Sequence, residues 1–219
     1  MNEFLQSLSA LVVTACLLIY WTAVVIKLIR LARKIGKDPN AMPREPWGQA
    51  MRILWYPNII LMLLLAGIVA FQRDEHMAHR FPALGQWITP LSTSNPFWTT
   101  ASVLAMLICV LATILTFICW RRMGRSWRIG IDPGETLDLV STGPYRYVRH
   151  PIYALRVAID LTAIVAMPSI LLALAALIDI LLMQIEARRE ENYMIATHGQ
   201  TYIHYKKSVG RFLPRLSKV

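Results

Sequence analysis

The chain has 219 residues, 56% of them hydrophobic, and a formal net charge of +10. Soluble domains average roughly 45–50% apolar residues, and the apolar residues here form long runs. The composition therefore excludes an ordinary soluble domain and predicts an all-α integral membrane protein. No basic stretch is interleaved with aromatic residues, so we attribute the positive charge to cytoplasmic loops and expect no nucleic-acid partner.

The N-terminal region, residues 1–120, contains three apolar runs that are long enough to cross a membrane. The expected spans are 8–31, 54–71 and 97–120. Pro57 is expected in the first turn of the second span, where a missing N–H costs little. The N-terminus lacks a basic region before the first run and a small-residue cleavage site, so the first run predicts a retained helix rather than a signal peptide. The segment 81–91 is expected to lie at the membrane interface.

The C-terminal region, residues 121–219, begins with a polar segment and continues with two shorter apolar runs. Residues 121–150 contain six arginines, four glycines and two prolines, which predicts an ordered loop. The runs 151–167 and 170–185 each measure about 25 Å as helices, close to the hydrocarbon thickness of a bilayer. Pro168 and Ser169 separate them, so we expect an antiparallel hairpin. From residue 186 onward the chain is polar and predicted to be helical, with a break at Gly199.

Five crossings place all three basic segments, namely the loop after the first span, residues 121–150 and the C-terminal tail, on one side of the membrane. The positive-inside rule makes that side the cytoplasm, in a bacterial inner membrane or an endoplasmic reticulum membrane. The three cysteines fall within apolar runs without CxxC spacing and are expected to be buried, inert thiols. The oligomeric state does not follow from the sequence.

The first unusual motif is GPYRYVRHPIY at residues 143–153, at the mouth of the fourth span. Pro151 suits the first helical position and places His150 at the N-cap. The free N–H groups of a first helical turn favour an anionic group. Anchoring of tyrosine and arginine at the membrane interface would explain the composition equally well.

The second motif combines Glu190 and Glu191 with Gly199, Tyr202 and Tyr205, followed by RFLP at residues 211–214. A solvated helix face paired with neighbouring arginines is the simpler interpretation. The predicted hairpin, however, brings these carboxylates to the membrane face that carries His150. A helix N-terminus and a carboxylate pair at one mouth would suit a zwitterionic cofactor that also carries a sulfonium.

The order of these motifs resembles the isoprenylcysteine carboxyl methyltransferases and the related bacterial and phospholipid methyltransferases of membranes. GPYRYVRHPIY, an apolar hairpin, EE–x2–M–x4–G–x2–Y–x2–Y and RFLP carry the resemblance, together with residues 124–128 and 139–143. It covers residues 124–214 and implies S-adenosylmethionine as cofactor. The implied cofactor-binding residues are Leu137, Asp138, Leu139, Val140, Tyr145, His150, Pro151, Ile152, Tyr153 and Glu190.

The candidate catalytic residues are Glu186, Arg156, Asp160 and Glu191. The eukaryotic enzymes of the family have a substrate-binding arginine where this chain has Glu186, which favours an amine or another non-carboxylate acceptor, although isoprenylcysteine carboxylates are the family's usual substrates. Asp160 and Asp179 would be costly inside a membrane. Asp160 is four residues from Arg156, and this spacing predicts a local ion pair equally well. For Asp179 the alternative interpretation is a bond across the bundle.

The leading hypothesis is a multi-pass, S-adenosylmethionine-dependent methyltransferase that acts on a lipophilic small molecule or a lipid. Methyl transfer needs no metal, and we expect none. An NADPH-dependent sterol-type reductase is an alternative, although its phosphates would meet Glu190 and Glu191. A non-catalytic membrane scaffold or transporter is a second alternative, and the lack of an evident repeat speaks against a transporter.

Overall fold

The computed structural model describes residues 1–40, 43, 46–72, 95–131, 134, 136 and 138–215. Among these residues the regular structure is helical, and β pairing is limited to two isolated bridges. Two short 3-10 helices, Gly124–Ser126 and Gly143–Arg146, lie in the polar loop. The α-helices are α1 (Asn2–Ile35), α2 (Pro46–Gln72), α3 (Pro96–Met123), α4 (Pro151–Ala166), α5 (Ile170–His198) and α6 (Gln200–Ser208).

Four of the described helices, α1, α2, α3 and α5, are long and apolar enough to cross a membrane. The 16-residue helix α4 is about 24 Å long, shorter than these four helices, and coincides with the fourth expected span, 151–167, so the count of five crossings stays a prediction. Large apolar side chains cover the outer faces of the long helices, for example Leu61, Leu107 and Leu181, each about half exposed. Such a surface is stable in lipid rather than in water. The prediction of an all-α integral membrane fold is confirmed.

Hydrogen bonds between distant helices show how the bundle alternates in direction. Gln6 near the start of α1 donates to Thr99 near the start of α3, so these two helices run parallel. Asn58 of α2 donates to the carbonyl of Ala175 in α5, and Trp55 donates to Asp179, which makes α2 and α5 antiparallel. The ends of α1, α3 and α5 and the starts of α2 and α4 therefore share one face of the bundle.

Helix α4 lies in the middle of the bundle and packs against α1, α3 and α5. Ile159, Ala163 and Ala166 are fully buried there. Small residues allow close approach of helix backbones, which is how membrane helices gain packing energy without a hydrophobic driving force. The position of α4 fixes its N-terminus between the polar loop and the C-terminal tail.

The predicted hairpin is present: α4 ends at Ala166 and α5 begins at Ile170. His150 occupies the N-cap position of α4 and Pro151 occupies the first helical position, as the sequence predicts. Gly199, with φ +54°, separates α5 from α6. Gly suits this left-handed conformation because it has no Cβ.

The expected position of Pro57 is wrong. Helix α2 begins at Pro46, so Pro57 lies inside the helix rather than in its first turn. Hydropathy marks where a helix enters lipid and does not mark where the helix begins. The expected interfacial segment 81–91 and the cofactor candidate Leu137 lie outside the described residues.

Candidate functional site

A cavity of about 200 Å³ opens where the polar loop, the N-terminus of α4 and the C-terminal half of α5 meet. The loop contributes residues 138–140, and α6 contributes Tyr202 and Tyr205. Helices α1, α2 and α3 supply the aromatic side of the cavity. Those aromatic lining residues are Tyr20, Trp21, Trp55 and Trp120.

The start of α4 carries a compact group of polar and aromatic side chains. The Tyr153 hydroxyl donates to Glu190 Oε1 at 2.5 Å, and His150 Nδ1 lies 3.4 Å from Glu190 Oε2. The rings of His150 and Tyr153 stack with centroids 5.5 Å apart. All three residues line the cavity, so the hairpin brings the histidine and the first glutamate of the pair to one site.

The balance of burial and charge raises the pKa of His150. Burial acts to lower the pKa, but the carboxylates of Glu190 and Glu191 on opposite sides of the ring favour the imidazolium and outweigh it. His150 Nε2 is 3.5 Å from Glu191 Oε1. The two carboxylates therefore favour the charged form of His150 at the N-cap of α4.

Glu191 lies behind this group, 1% exposed, and is surrounded by cations. Arg149 Nη2 and Arg211 Nε each approach Glu191 Oε1 at 2.8 Å, and Lys206 Nζ lies 3.2 Å from Oε2. A buried carboxylate needs such compensation. The simpler interpretation of a solvated glutamate pair is therefore wrong for Glu191, which is an internal anchor.

The C-terminal tail is hydrogen-bonded to the RHP motif through its backbone. The N–H of Arg149 donates to the Gly210 carbonyl at 2.8 Å, and the N–H of His150 donates to the Arg211 carbonyl at 3.0 Å. The Arg149 side chain also donates to the carbonyl of Val209. The two motifs that carry the sequence resemblance thus form one structural unit.

Burial raises the pKa of Tyr205 to about 12, so its hydroxyl stays protonated at neutral pH. This hydroxyl donates to the Tyr145 carbonyl at 2.5 Å, which ties α6 to the loop that precedes α4. The Tyr145 side chain is 5% exposed and lines the cavity. Its own hydroxyl has no hydrogen-bond partner.

All predicted cofactor residues that the structure describes line this one cavity, and only Leu137 lies outside the described residues. The lining members are Asp138, Leu139, Val140, Tyr145, His150, Pro151, Ile152, Tyr153 and Glu190. Their convergence is a structural fact. Their role in binding a cofactor stays a prediction.

Of the four candidate catalytic residues, only Arg156 is among the described residues that line the cavity. Arg156 pairs with Asp160 at 3.2 Å, which is the local i, i+4 pair, and with Asp179 at 3.1 Å. Its guanidinium lies 5.1 Å from the centroid of the Tyr20 ring and 4.9 Å from the Trp21 ring. Asp179 also accepts from Trp55 at 2.7 Å, so it bonds across the bundle.

The remaining three candidates do not line the cavity, and Glu191 is the buried anchor behind His150. Asp160 is fully buried behind Arg156. Glu186 lines a smaller neighbouring pocket, where Arg189 donates to it at 2.5 Å. The catalytic roles of all four residues stay predictions, and the positions favour Arg156.

The sequence did not point to the aromatic lining supplied by α1, α2 and α3. Tryptophan in an apolar run is usually an interfacial anchor, so its presence carries no signal of a cavity. Arg149 and Arg211 were also missed as partners of Glu191, because 42 and 20 residues separate them from it. The available signal was their position in the two motifs: Arg149 directly precedes His150, and Arg211 is the first residue of RFLP.

Cys16, Cys109 and Cys119 are buried and free, as expected, and their inertness stays a prediction. Within the described ranges, no group of three or more His, Cys, Asp or Glu side chains is placed to hold a metal ion.

A comparison with curated proteins gives one relative with a metal-related name. The chain is 30% identical over 134 residues to the nickel-cobalt-cadmium resistance protein NccN of Alcaligenes xylosoxydans xylosoxydans. The match covers 59% of this chain and 58% of that protein. The chain thus corresponds to little more than half the length of this relative.

A comparison with family models matches the segment that holds most of the site. Residues 103–196 run from α3 through the polar loop and the hairpin to the polar half of α5, and they include His150, Tyr153 and Glu190. This segment matches the isoprenylcysteine carboxyl methyltransferase family, so the resemblance drawn from its motifs is confirmed.

Proposed function

We propose that this protein is a membrane methyltransferase that uses S-adenosylmethionine and acts on a lipophilic acceptor. The observation that carries the proposal is the convergence of His150, Tyr153 and Glu190 at the N-terminus of α4, on a cavity shared with the loop and with α6. The match of residues 103–196 to a methyltransferase family supports the reaction class.

The residues of the cavity fit the chemical groups of this cofactor. The first turn of α4, with the His150 imidazolium beside it, suits a carboxylate. Glu190 suits an ammonium group, because its side chain is 26% exposed and it accepts from an uncharged tyrosine. The buried Tyr145 hydroxyl without a partner is a further group that a bound polar molecule would satisfy.

S-adenosylmethionine, when bound, supplies an electrophilic methyl carbon on a sulfonium that leaves as a neutral thioether. The residues of this chain would bind and orient the reacting groups and exclude water from them. The side chains of Tyr20, Trp21 and Trp55 form an aromatic wall of the cavity, which favours the exclusion of water from the reacting groups. Alignment in such a site is the main source of rate in a displacement on carbon.

The acceptor proposed here is a lipophilic small molecule or a lipid that reaches the cavity from the bilayer. The mouth of the cavity lies on the face where α1 ends with Arg33 and Lys34 and α3 ends with Arg121 and Arg122. Positive charge of this kind marks the cytoplasmic side. We therefore place the cofactor entrance in the cytoplasm.

Incubation of the purified protein with methyl-labelled S-adenosylmethionine and a membrane lipid extract tests the reaction. The expected result is label in an organic-soluble product, and less label with the His150→Ala variant. Exposed Glu3→Gln serves as a matched control and should leave labelling unchanged. Transfer of hydride from NADPH to the extract without any methylated product would reject the proposal in favour of a reductase.

A further inference from the structure

The main cavity has an inner end, deeper in the bundle than the group around His150. Tyr20, Trp21, Trp55 and Arg156 line this inner end. Arg156 follows His150 on α4 and lies about 9 Å further along the helix axis. The guanidinium carbon of Arg156 is 4.9 Å from the centroid of the Trp21 ring. The inner end is therefore separate from the residues proposed to hold the cofactor.

Two buried donors at the inner end are left without a partner among the described residues. Arg156 is 2% exposed, and its Nη1 has no hydrogen-bond partner, whereas Nε donates to Asp179 and Nη2 to the sulfur of Met62. The Nε1 of Trp21 is also buried without a partner. Trp55 differs, because its N–H donates to Asp179. Unpaired buried donors are costly, so a bound group that accepts hydrogen bonds would stabilise them.

The charge around Arg156 disfavours an anion at this place. Asp160 Oδ1 is 3.2 Å from Arg156 Nη2, and Asp179 Oδ2 is 3.1 Å from Arg156 Nε. One guanidinium beside two carboxyl groups gives a net charge of −1 when both are ionised and 0 when one is protonated. A further carboxylate or phosphate would therefore lack a compensating charge in a region of low dielectric.

A cationic group is disfavoured for a different reason. An ammonium group only donates hydrogen bonds, and the unpaired groups here are also donors. The guanidinium of Arg156 already lies over the rings of Tyr20 and Trp21, at 5.1 and 4.9 Å from their centroids. A carbonyl oxygen carries no charge, donates nothing and has two lone pairs, so it can accept from both free N–H groups.

We propose that the inner end of the main cavity binds a carbonyl group of the methyl acceptor, with Arg156 Nη1 and Trp21 Nε1 as the two donors. The inference rests on the proposed function. It specifies the acceptor as a lipophilic carbonyl compound that is uncharged where it meets Arg156. The aromatic rings of the inner end contact the apolar part next to the carbonyl.

Photocrosslinking in lipid nanodiscs with four single-chain probes tests this site. The probes carry a diazirine beside the head and differ only in the head: methyl ketone, isopropyl, carboxylate or ammonium. The isopropyl head has nearly the shape of the ketone but accepts no hydrogen bond. The ketone probe should label the peptides that contain Trp21 and Arg156 at least about tenfold more strongly than the other three. Labelling by any other head that equals the ketone would overturn the inference.

Variants of the two donors separate a carbonyl site from a merely apolar cavity. Trp21→Phe keeps an aromatic ring and removes the N–H, so it should lower ketone labelling about fivefold and leave isopropyl labelling unchanged. Arg156→Lys keeps the charge beside the aspartates, loses Nη1 and should lower ketone labelling about tenfold. Trp98→Phe in α3, outside the cavity lining, is the matched control.

Trp21→Phe decides the outcome if Arg156→Lys does not fold. Ketone labelling of folded Trp21→Phe at the level of Trp98→Phe would overturn the inference, because the indole N–H would then not contact the ligand.

Binding of S-adenosylhomocysteine, measured on the same samples, separates this inference from the proposed function. Cofactor binding without a preference for the ketone would reject the carbonyl site alone. A preference for the ketone without cofactor binding would reject the methyltransferase proposal and leave a carbonyl-binding site in a membrane protein.

Discussion

At the residue scale, the site depends on charges that are held at the edge of the membrane by groups far apart in sequence. His150 lies between Glu190 and Glu191, and the stacked ring of Tyr153 covers it on one side. Phe212 from the tail contacts the His150 ring edge-on, with the two ring centroids 6.1 Å apart. Burial keeps water from screening these interactions, so a change of one charge should have a measurable effect.

The titration of His150 predicts a pH dependence of stability. Its pKa is raised above the ordinary value of 6.5 in the folded protein, so the imidazolium stabilises the fold fully at pH values below about 6.5. This contribution is lost as the pH rises through the folded-state pKa. Thermal unfolding in detergent between pH 5.5 and 9 should therefore show a larger loss of stability for the wild type than for His150→Gln. Parallel pH profiles would contradict the assignment.

Glu191 should be the most stabilising single carboxylate in the described part of the chain. Replacing it with glutamine leaves Arg149, Arg211 and His150 close together without their shared anion. Loss of one partner from a buried ion pair costs about 3–5 kcal/mol. Differential scanning fluorimetry in detergent should show a large drop in the unfolding midpoint for Glu191→Gln. A drop no larger than that of the exposed Glu3→Gln would contradict the role of Glu191 as an anchor.

At the element scale, the tail and the RHP motif form one unit, and Gly210 is where they approach most closely. A Cβ at Gly210 would lie 1.9 Å from the carbonyl oxygen of Leu213. Since backbone cannot yield as a flexible side chain can, the tail must move and its hydrogen bonds to Arg149 and His150 must weaken.

Gly210→Ala should therefore lower stability by about 1–3 kcal/mol and reduce affinity for S-adenosylhomocysteine. Calorimetry and thermal unfolding of the purified variant provide both readouts. Gly67→Ala in α2 is a matched control, because a Cβ there meets nothing within 4 Å. Wild-type behaviour of Gly210→Ala would show that the tail is not closely coupled to the site.

The sequence predicted those elements whose boundaries are set by local chemistry. Pro151 can occupy the first turn of a helix, so the start of α4 and the cap at His150 were correct. The start of α2 was wrong because its first two turns are polar enough to escape hydropathy. The sequence did not predict the cationic partners of Glu191 or the aromatic lining of the cavity, because tertiary packing alone brings these residues together.

At the scale of the whole molecule, helices α1 to α5 alternate in direction, so that one face of the bundle holds both the cavity mouth and the basic helix ends. The division into an N-terminal region, 1–120, and a catalytic region, 121–219, remains a proposal. Both regions line the cavity, with Tyr20, Trp21 and Trp55 from the first and His150 and Glu190 from the second. The N-terminal helices thus contribute to the site as well as to membrane insertion.

The orientation predicts opposite labelling of two single cysteines in intact cells. Lys207→Cys, near the cavity mouth, should react with a membrane-impermeant thiol reagent only after the membrane is opened, and Asn2→Cys should react without opening. The native cysteines are buried, so their background should be low. Reaction of Lys207→Cys in unopened cells would reverse the proposed orientation and move the cofactor entrance out of the cytoplasm.

Titration calorimetry with S-adenosylhomocysteine in detergent tests the central claim most directly, since the proposed methyltransferase should bind this product in the same cavity without an acceptor. The wild type should bind it, and Glu190→Gln should weaken the affinity about tenfold or more by removing the carboxylate that accepts from Tyr153 and faces His150. A folded wild-type protein that does not bind S-adenosylhomocysteine, or a Glu190→Gln variant that binds it as tightly as the wild type, would contradict the account.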